Sequence, residues 1–163
     1  MAKYDLSLTW DELDRFLASH RTVRLATSSH AGEPHVVPLW YVWLDGTMFM
    51  NSTTGNVTVR NLEADPRASA LIDDGDAYEE LRGTILHGRV EWAAFDPRLE
   101  QVNAAWSTKY LEGRPVPFDL WEGRVWFRLR AERVASWDFR KIPLAKAQAT
   151  HAEGEATEGG SDA

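Results

Sequence analysis

The chain has 163 residues, of which 44% are hydrophobic and 26% charged, and it contains no cysteine. These values are typical of a single globular domain that can bury a core without disulfides. The lack of cysteine excludes thiolate catalysis and cysteine-ligated metal centres, and it fits a reducing compartment. The formal net charge is −7, with acidic and basic residues interspersed, which argues against nucleic-acid binding. Because no apolar run of about 18 residues or apolar signal region is present, we expect no membrane span and a cytoplasmic location.

The first predicted elements are a helix and three strands. Thr9 and Glu12 have the spacing of a capping box, and apolar residues follow at helical spacing, so a helix is predicted over residues 9–19. Strands are predicted over residues 22–28, 34–44 and 47–52. Asp45-Gly46 is a two-residue hairpin signal between the second and third strands. The second strand, HVVPLWYVWL, is apolar on parts of both faces, which indicates that both faces are covered.

The rest of the chain continues the β-rich pattern. Its predicted elements are a short helix over 57–63, strands over 68–73 and 81–92, a longer helix opened by Asp96-Pro97 and running to about Tyr110, and strands over 123–130 and 134–139. Gly83 and Gly88 are expected to form bends or bulges in the long strand. The predicted class is therefore mostly β: six or seven antiparallel strands in a closed or partly closed barrel, with short helices and one longer helix.

The composition divides the chain into two parts. Residues 1–145 are predicted to form one domain. From residue 146 the sequence KAQATHAEGEATEGGSDA has no large apolar side chain. Such a segment buries too little surface to offset its ordering entropy, so residues 146–163 are predicted to be a disordered acidic tail.

The common catalytic motifs are missing from the sequence. There is no G-x-G-x-x-G, no Walker loop, no H-E-x-x-H and no G-x-S-x-G. The five histidines are scattered at spacings that support no metal site. We therefore assign no catalytic side chain and no metal ligand from the sequence.

The segment NSTTGNVTVRN, Asn51 to Asn61, has the strongest chemical character. A strand ends in hydroxyl and amide side chains and a helix begins, and a helix N-terminus offers unpaired amides and a positive dipole end to a phosphate. Hydroxyls from residues 52–54 and the guanidinium of Arg60 could add contacts. The alternative is an ordinary capped loop, with Asn56 or Thr54 as the cap and Arg60 solvated. These residues alone do not decide between the two.

The order of motifs resembles the FMN-binding split-barrel superfamily, the pyridoxamine 5′-phosphate oxidase-like proteins. The resemblance runs from about Leu6 to Ile142. It is carried by RLATSSHAGEPHVVPLWYVW, LDGTMFMNS, TVRNLEADPRASALIDD, LRGTILHGRVEW and RVASWDFRK. No single segment is decisive, but the ordered set, with V-R-N-L-x-x-D-P-R after the third strand, is fairly specific.

The resemblance implies a homodimer of split barrels with a flavin-type cofactor at the subunit interface. It places the cofactor phosphate where the third strand meets the next helix, and it implies that the segment from Trp137 to Arg140 approaches from the partner subunit. The cofactor-binding residues implied in this way are His35, Val37, Pro38, Trp40, Asn51, Ser52, Thr53, Thr58, Arg60, Asn61, Trp137 and Arg140. Trp40, Trp106 and Trp137 could flank the ring or the substrate, although Trp106 also fits core packing.

One departure from the family pattern affects the expected activity. Many members carry a lysine three residues before the Asn-Leu pair, and this position is Thr58 here. A hydroxyl cannot replace that charge, although Arg60 could compensate. The segment RNLEADPRAS is similar to the deazaflavin branch, whose members use coenzyme F-420. We therefore expect an FMN- or F-420-dependent oxidoreductase that acts by hydride transfer on a small organic substrate, rather than a vitamin B6 oxidase.

Two other functions stay open from the sequence. The barrel could hold a flavin, a deazaflavin or a haem without catalysis, with His35 or His87 as the haem ligand. It could also be an interaction domain without any cofactor. The substrate is not encoded in a readable motif, because the expected pocket loops, at about residues 74–80 and 111–121, are variable in this superfamily.

Overall fold

The computed structural model describes residues 5–117 and 123–143. Its helices and strands are α1 Trp10–Ser19, β1 Thr22–Ser28, β2 Pro34–Leu44, β3 Thr47–Thr53, α2 Val57–Ala64, β4 Arg67–Asp74, β5 Arg82–Trp92, α3 Leu99–Leu111 and β6 Arg124–Asp138. A short 3-10 turn lies between β4 and β5 at Tyr78–Glu80, and another follows β6 at Phe139–Lys141. The tail predicted over 146–163, and residues 118–121 of the second expected pocket loop, lie outside the described residues.

Six antiparallel strands close into a barrel in the order β1-β2-β3-β6-β5-β4. This confirms the predicted split-barrel class. The prediction of separate strands over 123–130 and 134–139 is wrong, because both belong to β6. The polar run Ala131-Glu132-Arg133 resembles a turn in the sequence. In the barrel it stays in the ladder with β5, and the strand passes a register shift at His87/Gly88.

Two local sequence signals are confirmed by the backbone. The amide of Glu12 donates to Thr9 Oγ1 at 3.3 Å and the amide of Thr9 donates to Glu12 Oε2 at 2.8 Å, which is the reciprocal capping box of α1. Asp45 and Gly46 have φ angles of 48° and 69°. Two positive φ angles are what a tight β2–β3 hairpin requires, because this turn twists with its strands.

The predicted start of α3 is wrong. Asp96 does not cap a helix that has Pro97 in its first turn; α3 begins at Leu99, and Arg98 precedes it without a side-chain capping bond. The Asp96 carboxylate instead accepts hydrogen bonds from Arg98 at 3.1 Å and from Arg128 at 2.6 Å. The same carboxylate also accepts the backbone amide of Arg98 at 3.0 Å, so Asp96 holds the turn that precedes α3 in addition to the two guanidinium groups.

The apolar side chains form two clusters. One fills the barrel and includes Leu17 of α1 and Leu62 of α2, with interior residues of all six strands. The other lies outside the barrel, where Trp106 and Tyr110 of α3 pack on Phe49 of β3. Because side chains alternate along a strand, β2 turns Val36, Pro38 and Trp40 outward, and all three are exposed.

Among the described residues, no helix has the length and apolar character that crossing a bilayer requires.

Candidate functional site

A cleft of about 250 Å³ lies where the exposed face of β2 meets α3. Pro38 and Trp40 of β2 form one wall, and Trp106 of α3 faces them. The ring centroids of Trp40 and Trp106 are 5.9 Å apart. Trp40 also stacks on Tyr110 with centroids 4.4 Å apart, so aromatic contacts hold this wall in place.

The polar end of this cleft is built by Asn51 and Arg124. Asn51 belongs to β3 and is only 3% exposed. Its Oδ1 accepts a hydrogen bond of 2.6 Å from Arg124, while its Nδ2 is buried and has no hydrogen-bond partner among the described residues. A buried donor without an acceptor costs about 1–3 kcal/mol, so an acceptor from a ligand would be favourable here.

Arg124 is a site residue that the sequence analysis missed. It is the first residue of β6 and pairs with Thr53 across the β3–β6 ladder. The two residues are far apart in the sequence, and no local motif marks their register. Only closure of the barrel brings this guanidinium to Asn51.

A second group of predicted residues surrounds the start of α2. Asn56 caps the helix, since its Oδ1 accepts from the Val59 amide at 2.9 Å, and its Nδ2 donates to Ser52 Oγ at 2.6 Å. His35 Nε2 lies 3.3 Å from Thr58 Oγ1. Of the two candidate caps, Asn56 and Thr54, it is Asn56 that caps α2. Its bond to the Val59 amide uses one of the backbone amides that a phosphate would need.

The remaining predicted residues of α2 and its neighbours differ in accessibility. Asn61 is buried and donates to Thr27 Oγ1 at 3.1 Å, which joins α2 to β1. Arg60 and Thr53 are exposed, and Val37 is half-buried on β2. Thr58 is 3% exposed, so the position at which many relatives carry lysine is closed to solvent in this chain.

Trp137 and Arg140 do not join these groups within one chain. They lie at and just beyond the end of β6 that is opposite Arg124. Trp137 packs so closely over Gly83 that a Cβ on the glycine would lie 2.5 Å from the indole. Arg140 donates to the Asp138 carboxylate at 2.6 and 2.8 Å, and these bonds hold the pKa of Asp138 below its usual range.

A separate, larger groove of about 550 Å³ crosses β1, β4, β5 and β6. His87 lies in it, with Nδ1 2.8 Å from Ser69 Oγ. Arg67 and Arg133 also line the groove. Arg67 pairs with the Asp65 carboxylate at 2.6 Å, and its hydrogen bonds lower the pKa of Asp65 to about 2. The groove combines a histidine with two arginines and the carboxylate of Glu132.

Within residues 5–117 and 123–143, no three histidine, aspartate or glutamate side chains are grouped so that they could hold a metal ion.

Comparison with known proteins agrees with this architecture. Residues 9–138 match the family model described as pyridoxamine 5′-phosphate oxidase, and the chain belongs to this family. It is similar to a conserved hypothetical protein from Mycobacterium tuberculosis, with 32% identity, a TM-score of 0.75, and coverage of 85% of this chain and 90% of that one. No curated protein sequence matches the chain.

Two further solved structures are similar to the chain. A FAD-binding protein from Mesorhizobium loti has 28% identity and a TM-score of 0.63, covering 80% of this chain and 93% of that one. The haem storage protein HutZ from Vibrio cholerae has 20% identity and a TM-score of 0.64, covering 79% and 93%. At this lower identity, HutZ shows a shared fold alone.

Proposed function

We propose that the chain binds a flavin-type cofactor, FMN or the deazaflavin coenzyme F-420, and acts as an oxidoreductase on a small organic substrate. The observation that carries the proposal is the buried, unpartnered Nδ2 of Asn51 at the cleft between β2 and α3. Membership of the family and similarity to a FAD-binding protein support it. A bound flavin or deazaflavin supplies the hydride chemistry, so the chain itself needs no nucleophile.

The side chains at the cleft fit a flat, polar-edged ring. Pro38 and Trp40 offer an apolar wall, and Asn51 Nδ2 can donate to a carbonyl oxygen or ring nitrogen at the ring edge. Arg124 brings a guanidinium to the same end. The role of these residues is to hold and orient the ring and to keep water from its apolar face.

The phosphate of the cofactor is proposed to lie at the β3–α2 junction. Thr53, the last residue of β3, is exposed there, and Ser52 precedes it. Asn51 and Ser52 turn to opposite faces of β3, so this strand end connects the cleft with the start of α2. Arg60 on the exposed side of α2 and Arg124 at the start of β6 are proposed to supply positive charge for this phosphate.

The size of the cleft supports a homodimer. At about 250 Å³ it is smaller than the roughly 300–1,000 Å³ of a typical ligand pocket, so one chain offers only part of a flavin site. Val36 and Trp40, which lie on the same outward face of β2, are 60% and 44% exposed. We propose that a second copy covers this face and contributes Trp137 and Arg140. Light scattering at micromolar concentration should show a dimer.

Titration of the purified protein with FMN, FAD, F-420 and haem tests the proposal. We expect FMN or F-420 to bind at one per chain and to raise the melting temperature, as any ligand specific for the folded state does. Replacing Asn51 by leucine should weaken binding about tenfold or more, because the hydrogen bond from Asn51 Nδ2 to the cofactor is lost. The matched control is Ser69→Ala in the other groove, which should bind normally.

Two results would contradict the proposal. One is the absence of any thermal or spectral response to all flavin-type cofactors. The other is wild-type affinity in a folded Asn51→Leu variant. Where cofactor binds, addition of small electron acceptors to the reduced complex separates an oxidoreductase from a binding protein, because only the former reoxidises the cofactor with saturable kinetics.

The geometry of His87 favours one second candidate, non-catalytic haem binding. The contact of His87 Nδ1 with Ser69 fixes the imidazole, so Nε2 is the nitrogen that could bind a haem iron. Arg67 and Arg133 in the same groove could pair with haem carboxylates. His35 is less suited, since its Nε2 already contacts Thr58. A Soret band that disappears in His87→Ala but persists in His35→Ala would support this candidate.

A further inference from the structure

A third cleft, of about 400 Å³, opens between α1 and the barrel wall. Two indoles, Trp10 of α1 and Trp43 of β2, stand at this cleft, and Leu13, Leu86 and Val134 supply apolar lining. Trp10 is 76% exposed, although the other large apolar residues of its helix, Leu13, Phe16 and Leu17, are buried. The cleft therefore has the size and the aromatic, apolar lining of a small-molecule site.

The polar groups of this cleft are acidic. Asp11 and Asp14 line it and lie on the same side of α1, three residues apart. Asp14 Oδ1 accepts a hydrogen bond of 2.7 Å from Trp43 Nε1, which fixes its carboxylate beside the indole. Neither aspartate takes part in any of the ion pairs formed between described residues. Among the described residues that line the cleft, none is basic.

We propose that this cleft binds an organic cation, a protonated amine with an aromatic or apolar body. The face of an indole attracts a cation through its quadrupole, and two carboxylates add charge complementarity. An apolar body attached to the amine would cover Leu13, Leu86 and Val134. This site is separate from the cofactor cleft, and its occupancy does not depend on the proposed oxidoreductase function.

The start of α1 does not reverse this preference. A helix N-terminus ordinarily favours anions, because its first amides are unpaired. Here the Thr9–Glu12 capping box occupies the amides of Thr9 and Glu12, and the Leu13 amide bonds to the Thr9 carbonyl at 2.8 Å. Asp11 and Asp14 carry the full charges among the described residues that line the cleft, and both are negative.

The test uses the full chain and a pair of probes with nearly the same shape. 2-Phenylethylamine is protonated at neutral pH, and 2-phenylethanol replaces its ammonium with a hydroxyl. Both are titrated while the indole N–H resonances are followed by NMR. We expect saturable binding of the amine, with shifts at Trp10 and Trp43, and at least tenfold weaker binding of the alcohol. Raising the salt concentration should weaken the amine alone, since exposed charges are screened.

Variants then assign the binding to this cleft. Trp10→Ala should weaken amine binding by about 2- to 30-fold, which is the range expected for losing one cation–π contact. Asp11→Asn should weaken the amine and not the alcohol. The controls are Phe95→Ala, which removes an aromatic that is 99% exposed elsewhere, and Asp76→Asn, which removes an exposed loop charge. Both should bind like the wild type.

Three outcomes would overturn the proposal. They are equal affinity for amine and alcohol, no saturable binding of the amine, and amine binding that survives Trp10→Ala unchanged. If Trp10→Ala instead converts a dimer to a monomer, the cleft is an interface between two copies and the amine site is rejected. Because Trp10 is mostly exposed, we expect its replacement to leave the fold intact, and circular dichroism checks this.

Discussion

The indole of Trp40 lies flat on the phenol ring of Tyr110, with centroids 4.4 Å apart and planes within 5°. This contact joins β2 to the last turn of α3. The Tyr110 hydroxyl lies 2.7 Å from the carbonyl oxygen of Tyr41 and 2.6 Å from that of Arg21, and it accepts from the Tyr41 amide at 3.1 Å. One side chain therefore ties the helix to β2 and to the residue that precedes β1, and it holds the aromatic wall of the cleft between β2 and α3.

Replacing Tyr110 by phenylalanine should destabilise the fold while keeping the ring stack. The buried Tyr41 amide would lose this acceptor, which costs about 1–3 kcal/mol. Urea denaturation measures the loss as a lower midpoint. Tyr78→Phe is the control, because Tyr78 is 68% exposed and its replacement should change little. Equal midpoints for the two variants would show that the hydroxyl network contributes no net stability.

The Asp96 carboxylate should make stability depend on acid pH. Its side chain is 3% exposed, and hydrogen bonds from Arg98, together with the charge of Arg128, lower its pKa to about 2 from an ordinary 3.8. The unfolded chain therefore binds the proton first as pH falls. The contribution of Asp96 is complete above about pH 4 and is lost as pH approaches 2.

Asp96→Asn should lower the free energy of unfolding by about 2 kcal/mol at pH 7, with the difference from wild type shrinking toward pH 2. Denaturation across this range measures it. Asp65→Asn is the comparison, since its partner Arg67 is 74% exposed and an exposed pair contributes less. A pH-independent difference for Asp96→Asn would mean that the loss comes from packing rather than from ionisation.

Lys109 should make folding stability depend on alkaline pH. Burial, with a smaller effect from the charge of Arg21, lowers the pKa of Lys109 to about 8. Its ammonium lies 4.3 Å from the ring centre of Tyr41 and 3.3 Å from that residue's carbonyl oxygen. Because the folded pKa lies below the ordinary 10.5, the unfolded chain binds more protons between these values, so this group raises stability as pH increases above about 8.

Lys109→Met should therefore be more stable than the wild type at pH 7 and should lack the rise between about pH 8 and 10.5. Urea midpoints at several pH values measure both effects. Lys141→Met should behave differently, since Lys141 pairs with Glu12 at 2.6 Å and its removal takes away a favourable contact. A stability rise that persists in Lys109→Met would assign it to another group.

Local patterns were sufficient to predict most of the fold. The boundaries of β1 and β2, the capping box at Thr9 and the Asp45-Gly46 turn all follow from side-chain alternation and short-range hydrogen bonding. These signals depend on residues a few positions apart. The family resemblance depends on the order of these local segments along the chain, and the family match over residues 9–138 confirms it.

Long-range pairing was not predictable in the same way. Arg124 reaches Asn51, and Trp43 reaches Asp14, only because the barrel closes in one register. The exposed polar run at Ala131–Arg133 obscured the continuity of β6. Asp96 does accept the Arg98 amide as a local signal predicts, but α3 itself begins only at Leu99. The contacts of Arg124 with Asn51 and of Arg128 with Asp96 join residues that no sequence window contains together.

Two glycines of β5 should prove intolerant of alanine for reasons of space alone, since neither has a positive φ angle. A Cβ on Gly88 would lie 2.0 Å from the backbone oxygen of Arg130, so β5 and β6 would have to separate at the bulge. A Cβ on Gly83 would lie 2.5 Å from Trp137, a side chain that can shift, and 2.9 Å from the Ile72 oxygen. Overpacking of this kind typically costs about 1–3 kcal/mol. We therefore expect both variants to lose stability in urea, with Gly88→Ala losing more.

Gly83→Ala should also change the near-ultraviolet circular dichroism as the indole of Trp137 moves. If Trp137 completes the cofactor site of a second copy, Gly83→Ala should weaken flavin binding more than Gly88→Ala does at equal fractions folded. Wild-type stability in Gly88→Ala would contradict the close β5–β6 approach, and wild-type affinity in Gly83→Ala would separate Trp137 from the cofactor.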